Sequence, residues 1–152
     1  MPLHHLIYES QATRPFTEAE LAALLQQARE HNEVNELSGL LLYANDGRFV
    51  QVIEGELNEV YDLYFRHITR DKRHHRFTLL ADGPLSQRRF PDWRMGFRPA
   101  TPEALAELTG HFSTTDATFL LPMLPNLPTP LLDKLLDYVQ YTTVHPVLEE
   151  LK

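Results

Sequence analysis

The sequence predicts an α+β domain in which two helices cover one face of a small mixed sheet. Apolar patterns follow one another in the order strand, helix, hairpin, helix, strand, strand. The clearest pattern is the hairpin, because Gly39 to Tyr43 is an unbroken apolar run and Phe49 to Ile53 is a second run of strand length. Between them, Asn45-Asp46-Gly47 supplies residues that tolerate positive φ and predicts the turn.

Gln51 is the one polar residue inside the second strand of this hairpin. Its neighbours Val50 and Val52 are apolar, so the amide is expected to be at least half buried. Burying an amide without a partner costs about 1–3 kcal/mol. A polar group from the protein or from a ligand is therefore expected to meet Gln51.

Composition limits the possible functions. The chain has 152 residues, enough for one domain, and its 43% hydrophobic content supports a packed core. Its 14 basic and 21 acidic residues give a net charge of −7, which disfavours nucleic-acid binding. The absence of cysteine excludes disulfides, thiolate metal sites, cysteine nucleophiles and cysteinyl photoadducts. No apolar run reaches the roughly 18 residues of a membrane helix, and the first residues do not resemble a signal peptide, so we expect a cytoplasmic protein.

Leu3 to Ser10 is the first predicted strand, and Tyr8 lies at its centre. Most tyrosines in such positions are packed aromatics whose hydroxyl is satisfied nearby. The next helix starts with a capping box formed by Thr17 and Glu20. Its apolar stripe consists of Leu21, Leu24, Leu25 and Ala28.

Asn32 continues this stripe by one more turn. Two interpretations stay open: Asn32 is the C-cap of the helix, or its amide contacts a ligand in the same interior as Tyr8 and Gln51.

A second helix is predicted from Asn58 to Arg70, with the stripe Val60, Tyr64 and Ile68. The charged run from Arg70 to Arg76 follows it, and this run is either a solvated loop or a site for an anion such as a cofactor phosphate. The adjacent histidines in this run and at the start of the chain lack the spacing of a metal site.

Phe77 to Ala81 is predicted as a strand and Asp82-Gly83-Pro84 as a turn. Trp93 to Phe97 is the last predicted strand, with Trp93 and Met95 on the same face as Phe97. The complete order predicts a ferredoxin-like βαββαββ sheet with both helices on one face.

Thr101-Pro102 starts a third helix, which Gly110 ends. After a proline-rich connection, a last amphipathic helix is predicted from Thr129. These C-terminal helices are expected to cover the other face of the sheet. Their leucine stripe could also form an oligomer interface.

Six ordered motifs resemble the BLUF domain, a sensor of blue light using FAD. They are Leu6-Ile7-Tyr8-x-Ser10, Ala28-Arg29-x-x-Asn32, Ser38 to Tyr43, Gly47-x-Phe49-x-Gln51-x-x-Glu54-Gly55, Ile68-x-x-Asp71-x-Arg73-His74 and Phe90-x-x-Trp93-x-Met95. The resemblance runs from about residue 4 to 98. It divides the chain into a flavin-binding domain, 1–99, and a helical cap or output segment, 100–152. The chain looks like the short members of the family that carry no output domain.

The resemblance implies that FAD lies between the two main helices. Tyr8 would donate an electron and a proton to the excited flavin, Gln51 would bridge the phenol and the flavin and change its hydrogen bonds, and Asn32 would hold the pyrimidine edge. The other implied flavin contacts are Ser10, Leu24, Ala28, Arg29, His31, Ile68, Asp71, Arg73 and His74. His31 stands where many members have a second asparagine. Trp93 and Met95 would relay the change outward.

The expected function is a non-enzymatic blue-light photoreceptor whose red-shifted signalling state is read by a protein partner. We also expect a homo-oligomer. One alternative is an acylphosphatase-like hydrolase, with Arg14 or Arg29 acting beside Asn32, although the sequence lacks a glycine-rich phosphate loop. The other alternative is an interaction module without a cofactor, which docks through its leucine-rich tail.

Overall fold

The computed structural model describes residues 3–110 and contains one five-stranded sheet. The strands are β1 (Leu3–Ala12), β2 (Ser38–Ala44), β3 (Arg48–Glu56), β4 (His74–Leu85) and β5 (Gly96–Ala100). Their order in the sheet is β4-β1-β3-β2-β5, antiparallel except for the parallel pair β2 and β5. The predicted α+β, ferredoxin-like fold is therefore confirmed.

Within the described residues, two helical segments connect strands and a third helix follows β5. They are α1 (Glu18–Val34), α2 (Leu57–Asp62), which continues directly into a π-helical segment (Leu63–Ile68), and α3 (Pro102–Gly110). The predicted capping box of α1 is confirmed: Thr17 Oγ1 accepts from the Glu20 amide at 3.1 Å, and Glu20 Oε1 accepts from the Thr17 amide at 3.0 Å. The C-cap of α1 is Asn35. The interpretation of Asn32 as the C-cap was therefore wrong.

The sheet separates two apolar layers. On one face, Leu21 and Leu25 of α1 pack with Leu41 of β2, and α2 with the π-helical segment covers the part of the face nearer β1. On the opposite face, Leu105 of α3 packs with Leu40 and other residues of β2 and β3. Because side chains alternate along a strand, Tyr8 of β1 and Gln51 of β3 face the α1 side, whereas their neighbours Ile7 and Val52 face the α3 side.

Two predicted elements differ from the structure. The second helix is α-helical only to Asp62, and its second half widens into a π-helix. Asp82, Gly83 and Pro84 do not form a turn, because they pair with Leu6, His5 and His4 and lie inside β4. Local turn propensity was overridden there by a long neighbouring strand.

The last strand starts at Gly96 rather than at Trp93. Trp93 packs with Phe90 in the layer that contains α3, whereas Met95 and Phe97 lie in the layer that contains α1. The indole lies against Gly96, where a Cβ would come within 2.0 Å of a ring carbon. The prediction that Trp93 and Met95 share a face was therefore wrong.

The third helix occurs as predicted from Thr101-Pro102. Thr101 Oγ1 accepts from the Ala104 amide at 3.0 Å, and Pro102 occupies the first helical position. The predicted helix from Thr129, and the cover it would provide for the second sheet face, lie outside the described residues.

His5 provides a test of the packing of this sheet. It is fully buried, its Nδ1–H donates to the Gly83 carbonyl at 2.8 Å, and burial lowers its pKa to about 4. His5 takes up a proton near pH 6.5 in the unfolded chain but only near pH 4 in the folded one. The contribution of His5 to the free energy of unfolding should therefore fall by roughly 3 kcal/mol as pH drops through this interval.

Chemical denaturation at a series of pH values would measure this loss. His5→Asn keeps a donor for Gly83 at the place of Nδ1 and should flatten the pH profile, whereas His75→Asn, at an exposed position of β4, is the control and should retain the loss. Superimposable profiles for His5→Asn and the wild-type protein would contradict the prediction.

Candidate functional site

A cavity of about 390 Å³ lies between α1 and the π-helical segment, with the sheet as its inner wall. α1 contributes Leu24 and Ala28, the π-helical segment contributes Leu63 and Ile68, and β2 contributes Leu41. The cavity is of the size that holds a small-molecule ligand. Its apolar side walls face each other and suit a flat ring system.

Tyr8 and Gln51 form the polar part of the inner wall. They are cross-strand partners on β1 and β3, and the Tyr8 hydroxyl donates to Gln51 Oε1. Burial raises the pKa of the Tyr8 phenol well above its usual range, with smaller contributions from Tyr64 and Asp71. Tyr8 is therefore a neutral donor, and its hydrogen bond sets the orientation of the Gln51 amide.

The NH₂ group of the Gln51 amide contacts the sulfur of Met95. Gln51 Nε2 donates to Met95 Sδ at 3.5 Å, and Met95 is buried immediately before β5. Tyr8, Gln51 and Met95 therefore form one continuous chain of hydrogen bonds across three segments of the sheet.

Asn32 is brought into the cavity by the stripe of α1. It is almost fully buried, and its Nδ2 donates to the Arg94 carbonyl. Its Oδ1 is buried and has no hydrogen-bond partner among the described residues. Asn32 thus offers a buried acceptor at the cavity wall, which an incoming N–H group can satisfy.

Ser10 and His74 lie next to Tyr8, but only His74 lines the cavity. His74 lines the cavity, and its Nε2–H donates to the Ile68 carbonyl at 3.1 Å. His74 Nδ1 must then be the acceptor of the Ser10 hydroxyl at 2.8 Å. Burial lowers the pKa of His74, which agrees with a neutral ring. Ser10 therefore supports a residue of the cavity from outside it.

The exposed end of the cavity is polar. Arg73 donates through Nε and Nη2 to Asp71 at 2.9 and 2.5 Å, and this guanidinium holds the pKa of Asp71 below its ordinary value. Across the opening, the rings of His31 and His67 meet edge to face with 5.5 Å between their centroids. These groups are placed to contact the polar end of an extended ligand.

Most of the predicted site residues line this one cavity. They are Tyr8, Leu24, Ala28, His31, Asn32, Gln51, Ile68, Asp71, Arg73 and His74. Four predicted residues do not: Ser10 lies behind His74, Arg29 donates to the Met95 carbonyl, Met95 contacts Gln51 through its sulfur, and Trp93 lies on the opposite face of the sheet. The cavity also includes residues that the sequence interpretation missed, namely Phe16, Gln27, Leu41, Phe49, Leu63 and His67.

A sequence signal existed for some of the missed residues. Phe49 lies two residues before Gln51 on the same face of β3, and Leu41 is the cross-strand partner of Gln51. For Leu63 and His67 the signal was their i, i+4 spacing, which places both side chains on one face of a helix next to Ile68.

The hydrolase alternative has no support in this geometry. Arg14 is ion-paired with Glu20 at 2.8 Å, and Arg29 binds a backbone carbonyl. Neither guanidinium lies in the cavity wall beside Asn32. Within residues 3–110, no three histidine or acidic side chains are grouped to hold a metal ion. No helix in this part of the chain has the length and apolar character needed to cross a membrane.

The fold and the cavity define a small ligand-binding domain, and comparison with known families specifies which one. The family model described as "BLUF: Sensors of blue-light using FAD" matches residues 3–96, more than half of the chain. The chain therefore belongs to the BLUF family and is a blue-light sensor domain.

Curated relatives are photoactivated adenylate cyclases of Euglena gracilis. The chain is 40% identical over 102 residues to subunit beta, which covers 66% of this chain and 11% of the relative. It is 36% identical over 101 residues to subunit alpha, covering 66% of this chain and 10% of the relative. The chain spans about a tenth of the length of these relatives.

Solved structures of BLUF proteins share the fold. BlrB, a BLUF protein in its dark state, is 27% identical with a TM-score of 0.64, covering 93% of this chain and 97% of that one. The photo-activated state of BlsA is 27% identical with a TM-score of 0.64, and the match covers 90% of this chain and 93% of that one. Klebsiella pneumoniae BlrP1 with FMN and cyclic diGMP is 28% identical with a TM-score of 0.58, and the match covers 78% of this chain and 33% of that one.

The residues of the cavity fit a flavin. A flavin has a broad apolar ring face and, along one edge, an N–H donor between carbonyl acceptors. The unpartnered Oδ1 of Asn32 suits that donor, and Leu24 and Ile68 on facing helices suit the two ring faces. The polar groups at the exposed end suit the ribityl and phosphate portion.

Proposed function

We propose that this chain is a blue-light receptor that binds FAD and switches through the Tyr8–Gln51 pair. The observation that carries the proposal is the buried hydrogen-bond chain from Tyr8 through Gln51 to Met95 along the wall of a flavin-sized cavity. FAD is favoured among the flavins by the description of the family and by the Arg70 to Arg76 charged run at the open end.

The cofactor would be held by three groups of residues. Asn32 Oδ1 would accept a hydrogen bond from the ring N–H, so this buried oxygen would gain the partner that it lacks. Leu24, Ala28 and Ile68 would exclude water from the ring faces. The remaining contacts, at the polar end, are His31, Asp71, Arg73 and His74.

The flavin, when bound, supplies the absorption of blue light and the acceptance of an electron. Tyr8 would be the donor of that electron, and its hydrogen bond to Gln51 Oε1 would hold and orient the phenol proton. The raised pKa keeps this proton on the phenol in the dark, so its movement depends on light.

Met95 makes the two orientations of the Gln51 amide unequal. In the structure, the Gln51 carbonyl accepts from the Tyr8 hydroxyl and the Gln51 NH₂ group donates to the Met95 thioether. After rotation by half a turn, the carbonyl would face a sulfur that cannot donate a hydrogen bond. We therefore assign the described orientation to the resting state and the rotated amide to the red-shifted signalling state.

The signal would leave the site through β5. Met95 directly precedes this edge strand, and its partner strand β2 belongs to the hairpin of Gln51. We propose that the chain has no enzyme activity of its own, that residues 100–152 form the output segment and that a separate protein reads the change. Assembly into a homo-oligomer and location in the cytoplasm stay predictions.

An absorption spectrum of the purified protein, before and just after blue light, tests the proposal. We expect a flavin band that shifts to the red and returns in darkness, and chromatography of the released cofactor should identify FAD. A flavin band that does not shift would contradict the switch. A colourless protein would contradict the function itself, and an acyl phosphate hydrolysis assay would follow.

A further inference from the structure

Arg29 turns away from the cavity and binds the backbone on its far side. Its Nε–H donates to the Met95 carbonyl at 3.0 Å. One turn along α1, Asn32 Nδ2 donates to the Arg94 carbonyl. Two side chains of one helix therefore hold consecutive carbonyls immediately before β5, and we name Arg29 and Asn32 together the α1 clamp.

The α1 clamp binds backbone carbonyls that precede the pairing of β5 with β2. The first pair between β2 and β5 is Leu40 with Gly96, so residues 94 and 95 precede it. Trp93 is attached to the sheet separately, because its carbonyl accepts from the Gly39 amide at 3.0 Å. The position of the Met95 backbone thus depends on α1, and that backbone sets where the sulfur meets Gln51.

We propose that Arg29 is a positioning residue of the light switch, which holds Met95 so that its sulfur favours the resting orientation of the Gln51 amide. This role rests on the proposed function of the Tyr8–Gln51 pair. Arg29 does not line the cavity, so it affects the switch without contacting the cofactor. Asn32 does contact the cavity, so α1 forms a second connection between the ligand and β5.

The chemistry of the side chain provides a matched pair of variants. In Arg29→Gln, the amide nitrogen stands at the same number of bonds from Cα as Nε and keeps an N–H donor. In Arg29→Met, a methyl group occupies that place and donates nothing. Both variants remove the positive charge, so they differ only in the hydrogen bond to Met95.

The dark-recovery rate after a blue pulse tests the proposal in the flavin-loaded full chain. Met95→Leu should slow recovery, because it removes the sulfur that favours the resting amide. Arg29→Met should slow it by up to roughly tenfold, the usual effect of losing one hydrogen bond. Arg29→Gln should recover at nearly the wild-type rate. The double variant should recover as slowly as Met95→Leu alone, because both substitutions act through the same sulfur.

A second measurement reads the hydrogen bond directly and needs no light. The chain has three methionines, so carbonyl-¹³C methionine labels few amides, and Met95→Leu identifies the band of residue 95. Loss of the donor should raise the infrared frequency of this carbonyl in Arg29→Met and leave it nearly unchanged in Arg29→Gln. The dark absorption spectrum and the flavin content should be the same in both variants.

If Arg29→Met recovers at the wild-type rate, the role of Arg29 is overturned and the proposed function stands. The same conclusion follows if the double variant recovers more slowly than Met95→Leu alone. An unchanged carbonyl band in a folded Arg29→Met protein would overturn the role of Arg29 too. A wild-type protein that binds flavin without a reversible shift would instead overturn the proposed function, and with it this role.

Discussion

Tyr8→Phe should bind the flavin and lose the reversible red shift completely. The substitution removes the hydroxyl that donates to Gln51 Oε1, and with it the proposed source of the electron and proton. The ring that remains still packs against Tyr64 and Phe77, whose ring centroids lie 5.2 and 6.0 Å away. Absorption spectra in the dark and after blue light would measure both the bound flavin and the shift.

Tyr61→Phe is the matched control for this prediction. The Tyr61 hydroxyl also donates to a partly buried acceptor, Asp82 at 2.9 Å, but it does not line the cavity. The control variant should therefore show a normal shift. A reversible shift in Tyr8→Phe equal to that of the control would show that the phenol is not the donor.

Gln51→Leu should likewise keep the flavin and lose the shift, and it should also destabilise the protein. Leucine offers no acceptor to the buried Tyr8 hydroxyl and no donor to Met95. Leaving the hydroxyl unpaired should lower the free energy of unfolding by about 1–3 kcal/mol. Spectra before and after light, together with thermal unfolding in the dark, would measure the two effects.

Gln27→Leu provides the comparison, because Gln27 also lines the cavity but is exposed on α1. This variant should keep both the shift and the stability close to those of the wild-type protein. Normal cycling of Gln51→Leu would mean that the amide is not the switch. Equal stability of the two glutamine variants would contradict the buried hydrogen bond.

Local patterns were reliable where the interaction is between near neighbours in the chain. The capping box of α1 joins residues three positions apart, and the hairpin of Gln51 needs only a short turn. The same holds for Thr101 and Pro102 at the start of α3. Such interactions depend little on the rest of the molecule, so their residue types suffice to predict them.

Predictions failed where distant segments compete for the same residues. Asp82-Gly83-Pro84 has the composition of a turn, yet pairing with β1 makes it part of a strand. Trp93 follows the alternation of a strand, yet its indole packs over Gly96 on the opposite face. The π-helical segment follows an apolar stripe that an α-helix would also explain.

The sequence by itself determined that Tyr8, Asn32 and Gln51 lie at inward positions of their own strand or helix, because strand and helix periods orient side chains irrespective of what they meet. It left open whether Asn32 caps its helix or faces a ligand. Only the tertiary structure decided the partner of each polar group. Arg29 follows Ala28 in a motif that resembles a cofactor contact, but the packing of α1 against the segment before β5 directs it to the Met95 carbonyl. Such partners depend on distances between segments far apart in the chain, which neither period nor motif contains.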